Sequence, residues 1–178
     1  MASLTWSFMP AHAQNTNEES FRKIQPMMDC SERDSVAKAV ASMEQLASTG
    51  YIPALYEMCY TYGWYSDTVS LNRKKMLGIR YERDSYPKYL PLDNQVNTKA
   101  VEYLKQIIAN AGPEYDDIKA QAYFRLAAYY VSDNRVLPTD VERARKYILS
   151  ARKYALKGNN NKEFLERIES SLKNIADL

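Results

Sequence analysis

The sequence predicts an all-α fold, a short α-solenoid of helix-turn-helix repeats with a capping helix at the N-terminal and the C-terminal end. Only 5 glycines and 7 prolines occur in 178 residues, fewer than the many turns of an all-β fold require. Apolar residues recur at helical spacing over most of the chain. Two helix patterns also recur along the sequence, which is typical of a repeat protein.

The N-terminal residues 1–16 are predicted to be a disordered tail or the remnant of a signal peptide. The segment from Ala11 to Ala13 has the A-x-A form of a signal-peptidase site. However, no Lys or Arg precedes Arg22, and the apolar part is short. Both interpretations stay open: a signal remnant implies a periplasmic or secreted protein, and a plain tail leaves the cytoplasm as the alternative.

Residues 17–178 are predicted to form a single domain, because 46% apolar residues suffice for one sizeable core. A helix over residues 18–30, bent or broken at Pro26, would be the N-terminal cap. The next helix begins at Asp34 or Ser35 and ends at Gly50.

A helix over residues 53–65 carries the first candidate site. Tyr56, Tyr60 and Trp64 follow one another at i, i+4 and i+8, so they form an aromatic stripe on one side of this helix. Aromatic side chains contribute a large share of the binding energy at interfaces. The alternative is that the stripe packs on the following insertion or on a neighbouring helix.

Residues 66–97 interrupt the repeats and are predicted to be an irregular insertion. Here Arg73, Lys74, Lys75 and Tyr81 bring basic and aromatic side chains together, as an acidic partner or a phosphate would require. The alternative is a solvated loop folded over the solenoid, because acidic residues dilute the charge.

The best-defined unit is the helical hairpin over residues 122–158, which follows a helix over residues 98–111. Thr139 or Asp140 is predicted to cap its second helix, and Gly158 to end that helix in the left-handed conformation. A last helix from Lys162 has one apolar stripe and is predicted to be the C-terminal cap.

Three parts of the hairpin resemble those of a known family. They are Ala-x-x-x-Leu-small-x-x-Tyr at 122–130, Val-x-Pro-x-Asp at 136–140 and Ala-x-x-Gly at 155–158. With the looser copies in 38–65 and 99–121, they resemble the Sel-one-like repeat family, which is related to tetratricopeptide repeats. The resemblance implies an α-solenoid that holds another macromolecule, and it also implies an envelope role such as that of a toxin-neutralising immunity protein.

The second helix of the hairpin is strongly basic. Its basic residues are Arg143, Arg145, Lys146, Arg152, Lys153 and Lys157. Two interpretations stay open, a solvated outer face that also benefits from the helix dipole, and a docking site for an acidic partner.

Catalytic chemistry has little support in the sequence. His12 is the only histidine, so a histidine relay is excluded from the body of the chain, and there is neither a CxxC motif nor a glycine-rich phosphate loop. We therefore predict no enzyme activity, no metal and no cofactor. The alternative is an envelope enzyme of the cell-wall hydrolase type, using the insertion carboxylates Glu82, Asp84 and Asp93.

The predicted function is that of a monomeric protein-binding scaffold or adaptor. The net charge of +2 gives no reason to expect a nucleic acid, and the sequence contains no apolar run long enough to span a membrane. Cys30 and Cys59 either form a disulfide or leave Cys59 as a buried thiol.

Overall fold

A computed structural model describes residues 11–63, 68–82, 90–132, 136–158 and 162–176. These residues confirm the all-α fold class, with two strands of two residues each, β1 (Tyr81–Glu82) and β2 (Leu90–Pro91), which pair antiparallel. The helices are α1 (Ala11–Ile24), α2 (Arg33–Ser48), α3 (Ile52–Tyr62), α4 (Thr68–Met76), α5 (Asn94–Asn110), α6 (Asp116–Val131), α7 (Val141–Ala155) and α8 (Lys162–Ala176).

The first helix is longer at its start than the sequence predicts. Helix α1 begins at Ala11, so residues 11–16, which we expect in the tail, are helical, while residues 1–10 lie outside the described ranges. The predicted helix over residues 18–30 is divided as expected: α1 ends at Ile24, and the 3-10 helix Gln25–Asp29 follows, with proline in its first turn.

Helix α2 ends as the sequence predicts. Thr49 is its C-cap, and Gly50 then adopts a φ of +82°, in the left-handed region that glycine enters at little cost. This turn directs the chain back, so that α3 packs against α2.

The insertion is more regular than the sequence predicts. It contains helix α4 and the β1–β2 ladder, and α5 begins at Asn94 rather than near residue 98. Asp93 caps α5, because its carboxylate accepts a hydrogen bond from the backbone N–H of Gln95 at 2.8 Å. Residues 64–67 and 83–89 of this region are outside the described ranges.

Helices α6 and α7 form the most extensive helix pair of the described chain. The apolar residues predicted to face inward, including Ala122, Leu126 and Ala127, are buried. Of the two predicted caps of α7, Asp140 is the one used, since its carboxylate accepts from the backbone N–H of Arg143 at 2.9 Å.

The prediction for Gly158 is wrong. Among the described residues a positive glycine φ occurs at Gly50 and Gly78, and Gly158 is not in the left-handed region. Instead, a Cβ atom at Gly158 would lie 1.8 Å from the Asp117 Oδ1 atom and 3.0 Å from the Asp117 backbone nitrogen. Glycine is required here because the end of α7 approaches the start of α6 closely.

The core extends along the helices in sequence order. Each of α2, α3, α5, α6 and α7 packs on the next of these helices, and α7 also packs on α8. The 3-10 helix buries Met28 completely against α2 at one end, and α8 buries Ile168 at the other. None of the described helices combines the length and the apolar character needed to cross a bilayer.

Candidate functional site

Tyr56 of the predicted aromatic stripe bridges two helices. Its hydroxyl donates a hydrogen bond to the Gln121 Oε1 atom of α6 at 2.6 Å, and the Arg125 guanidinium lies 5.9 Å from the centre of its ring. A cation over a tyrosine face is attracted by the ring's quadrupole. The half-buried Tyr56 therefore ties α3 to α6 and still presents part of its ring to solvent.

Tyr60 packs on the insertion. The Arg73 guanidinium of α4 lies 5.4 Å from the centre of its ring, and the Ser70 hydroxyl donates to its backbone carbonyl at 3.3 Å. Tyr60 is also half-buried. Trp64, the third residue of the stripe, lies outside the described residues. We refer to the exposed parts of Tyr56, Tyr60, Gln121 and Arg125 as the α3–α6 face.

Arg73 is a buried structural residue, not a surface cation. Its side chain is 2% exposed. Its Nε and Nη2 atoms donate to the two carboxylate oxygens of Asp29 at 2.7 and 2.9 Å, and Nη1 donates to Glu57. The two carboxylates offset the cost of burying the guanidinium and hold its pKa above the usual value. Arg73 thus joins the 3-10 helix, α3 and α4.

The other residues of the predicted basic cluster do not share one surface. Lys74 is fully buried, and its ammonium donates to the Ser70 hydroxyl at 2.6 Å and to the Thr61 carbonyl at 3.3 Å. Lys75 is exposed on α4, and Tyr81 is half-buried in β1. Burial therefore removes Arg73 and Lys74 from the predicted partner-binding surface, while partner binding through Lys75 and Tyr81 stays a prediction.

Of the three carboxylates of the alternative enzyme hypothesis, the structure describes the side chain of Asp93. Asp93 is the N-cap of α5, Glu82 lies in β1, and Asp84 is outside the described ranges. Within those ranges, no group of three or more His, Cys, Asp or Glu side chains is placed to hold a metal ion.

A polar cluster between α2, α3 and α5 was not predicted from the sequence. The Glu44 Oε1 atom accepts hydrogen bonds from the Tyr62 hydroxyl and from the Lys99 ammonium, both at 3.0 Å. Burial raises the pKa of Tyr62, whose hydroxyl donates to Glu44, and it raises the pKa of the nearby Tyr103 to about 12. Beside them α5 lines a groove of about 440 Å³.

Both cysteines are free, so the predicted disulfide alternative is wrong. Cys59 is buried in α3 at 2% exposure, and its thiol donates to the Ala100 carbonyl at 3.7 Å. Burial raises the pKa of this thiol well above its usual range. Cys30, near the start of α2, is half-buried, and its thiol donates to the Glu32 carbonyl at 3.6 Å.

The two thiols should therefore differ in reactivity. In the native chain at mildly alkaline pH, we expect a disulfide reagent such as dithionitrobenzoate to label Cys30 and to spare Cys59, because only the thiolate attacks. Unfolding in guanidinium should release the second thiol. A Cys30→Ser variant is the control and should show no fast reaction; equal labelling of both native cysteines would contradict this burial of Cys59.

Two residues of the α3–α6 face were not predicted from the sequence. Gln121 and Arg125 are four residues apart on α6, so the sequence indicates that these two polar side chains share one face of a largely apolar helix. Their contact with Tyr56 spans more than 60 positions of sequence and follows from the packing of α6 beside α3.

Comparison with known proteins gives no match, since no family model, no curated protein and no solved structure is similar to this chain. The resemblance to Sel-one-like repeats accordingly stays a prediction based on the residues of the hairpin.

Proposed function

We propose that this chain is a non-catalytic scaffold that binds another protein through the α3–α6 face. In this proposal the chain contains two consecutive helix pairs of a short α-solenoid of Sel-one-like type. The first pair is α3 with α5, and the second is α6 with α7. The 3-10 helix and α1 cap one end of the stack, and α8 caps the other.

The order of helix packing supports the solenoid part of the proposal. The main contacts are between helices that follow one another in sequence, apart from the inserted α4. A chain in which each unit packs on its neighbours is typical of repeat proteins. In addition, α3 packs on α6, so the first helices of the two pairs lie side by side.

The single observation on which the binding proposal rests is the bridge from Tyr56 to Gln121. It joins the first helices of the two pairs into one continuous surface, with two tyrosines and an arginine at its centre. Tyrosine and arginine are enriched among residues that dominate binding energy. Such a surface suits a partner that places an apolar or aromatic group against the tyrosines.

Capture from native lysate tests this proposal. We expect the wild-type chain to retain one protein in stoichiometric amount, and a Tyr56→Ala, Arg125→Ala double variant to lose it, since two anchor residues are removed. Each such anchor contributes about 2 kcal/mol or more, so the loss of one anchor alone should lower the affinity about thirtyfold, and the loss of both should lower it further. Under the envelope role implied by the resemblance, the captured protein is a secreted one.

A matched control has the same residue types on other parts of the chain. Tyr115→Ala with Arg22→Ala removes a half-buried tyrosine and an exposed arginine away from the α3–α6 face, and it should retain the partner. Circular dichroism should show the same helix content for all chains. Equal retention by the Tyr56, Arg125 variant, or no retained protein with any chain, would contradict the proposal.

A further inference from the structure

A second surface lies on the other side of α6, where four tyrosines form a continuous row with α7. Tyr123 stacks on Tyr154, with ring centres 5.5 Å apart and planes within 9°, and contacts Tyr147 at 5.8 Å. Tyr147 in turn contacts Tyr130 at 5.6 Å. Tyr123, Tyr147 and Tyr154 are half-buried, so part of each residue reaches solvent.

Three lysines surround one ring of this row. The ammonium groups of Lys119, Lys153 and Lys157 lie 5.1, 5.7 and 5.7 Å from the centre of the Tyr154 ring. No two of them are farther apart than about 11 Å, close to the Debye length at 0.1 M salt, so they repel one another. The Lys119 ammonium also donates to the Ala111 carbonyl at 3.0 Å, which fixes its position.

The positive charge of the chain is concentrated here. Residues 141–158 contain six basic and one acidic residue, a formal charge of +5, whereas the whole chain has +2. Arg143 pairs with Asp140 and Arg152 with Glu169. Four other basic residues of this segment are exposed and have no ion pair in the part of the chain that the structure describes: Arg145, Lys146, Lys153 and Lys157. The carboxylate of Asp117 lies against Gly158.

We propose that the basic tyrosine surface, formed by Tyr123, Tyr147, Tyr154, Lys119, Lys153 and Lys157, docks an acidic segment of a protein partner. Glutamate or aspartate carboxylates would lie among the three ammonium groups and relieve their repulsion. The phenol groups beside them are protonated at neutral pH and offer hydrogen-bond donors, and burial raises the pKa of Tyr123 and Tyr147 further. This surface does not depend on the α3–α6 face.

The charge distribution favours an acidic protein segment over a nucleic acid. Helix α7 is about 22 Å long, which matches a short peptide. The residues outside 141–158 comprise 18 basic and 21 acidic ones, a net charge of −3. The rest of the chain therefore has no excess of basic residues with which to hold a long polyanion, whereas nucleic-acid binding depends on many phosphate contacts.

Fluorescence anisotropy at low salt tests this inference with labelled probes and the full chain. The probe is a peptide of alternating glutamate and glycine, and a glycine-serine peptide of the same length is the blank. We expect saturable binding of the acidic peptide to the wild-type chain. A Lys153→Ala, Lys157→Ala variant should bind it about tenfold more weakly, because each substitution removes one exposed ion pair between a lysine and a peptide carboxylate.

The control variant Lys38→Ala, Lys173→Ala removes the same charge from exposed positions on α2 and α8, and its affinity should equal that of the wild type. The affinity for single-stranded oligothymidine of the same charge is compared with that for the peptide, which distinguishes nucleic-acid binding from binding of an acidic protein segment. The inference is overturned by absence of saturable peptide binding, by an equal loss in the control variant, or by tighter binding of the oligonucleotide than of the peptide.

Discussion

Replacing Arg73 by alanine is expected to lower the free energy of unfolding by about 3–5 kcal/mol. The guanidinium is 2% exposed and donates to the carboxylates of both Asp29 and Glu57. The substitution leaves Glu57, itself only 14% exposed, without its cation. Urea denaturation followed by circular dichroism measures the loss.

The adjacent Lys75→Ala substitution is the matched control. Lys75 is exposed on the same helix, so its removal should change the free energy of unfolding by no more than about 0.5 kcal/mol. Arg73→Lys should recover little, because an ammonium cannot donate to both oxygens of Asp29 and to Glu57 with the geometry of the guanidinium. Equal stability of the Arg73→Ala and Lys75→Ala variants would contradict the buried ion-pair network.

Leu126→Ala is the second substitution with a large expected effect. Leu126 lies in α6 at 1% exposure and belongs to the continuous apolar core. Removing its side chain leaves a cavity in this core, which typically costs about 2–5 kcal/mol. For a chain of this size, each kcal/mol corresponds to about 2–4 °C in the melting temperature.

The same substitution at an exposed site provides the comparison. Leu149 on α7 is 49% exposed, so Leu149→Ala should shift the melting temperature by only about 1–2 °C. Thermal unfolding of both variants under identical conditions measures the difference. Equal shifts for the two leucines would contradict the burial of Leu126 in the core.

The hairpin of α6 and α7 could be predicted because its buried residues are apolar and follow the helical period. Ala122, Leu126 and Ala127 in α6, and Ala144 and Ala151 in α7, are all buried as the pattern indicates. The N-cap of α7 could also be predicted from the local sequence, because the side chain of an aspartate before a helix can accept a hydrogen bond from a free backbone N–H group of its first turn.

Helix α4 could not be predicted in the same way, because the side chains it buries are polar. Ser70, Arg73 and Lys74 are its buried residues among those described, so no apolar period marks this helix in the sequence. Their burial depends on partners from other elements, such as Asp29 and Thr61. A basic run in a sequence is therefore a poor indicator of a basic surface when such partners exist.

The candidate site was predicted in part. The helical spacing of Tyr56 and Tyr60 correctly placed them on one side of α3, but it gave no information about what lies beside them. Gln121 and Arg125 reach that side only through the packing of α6 on α3, a long-range contact. The close approach of Gly158 to Asp117 is also a tertiary contact. The local expectation that a glycine after a helix adopts the left-handed conformation was therefore wrong at this position.

The proposal that a protein partner binds the α3–α6 face is tested most directly by site-specific photo-crosslinking in native lysate. Benzoylphenylalanine in place of Tyr60 keeps an aromatic side chain on this face and leaves the contact between Tyr56 and Gln121 intact. It should form one discrete adduct with a partner protein, whereas the same group at position 42, exposed on α2, should not. An adduct at position 60 that disappears in the Tyr56→Ala background is the predicted result. No adduct at position 60, or equal crosslinking from position 42, would contradict it.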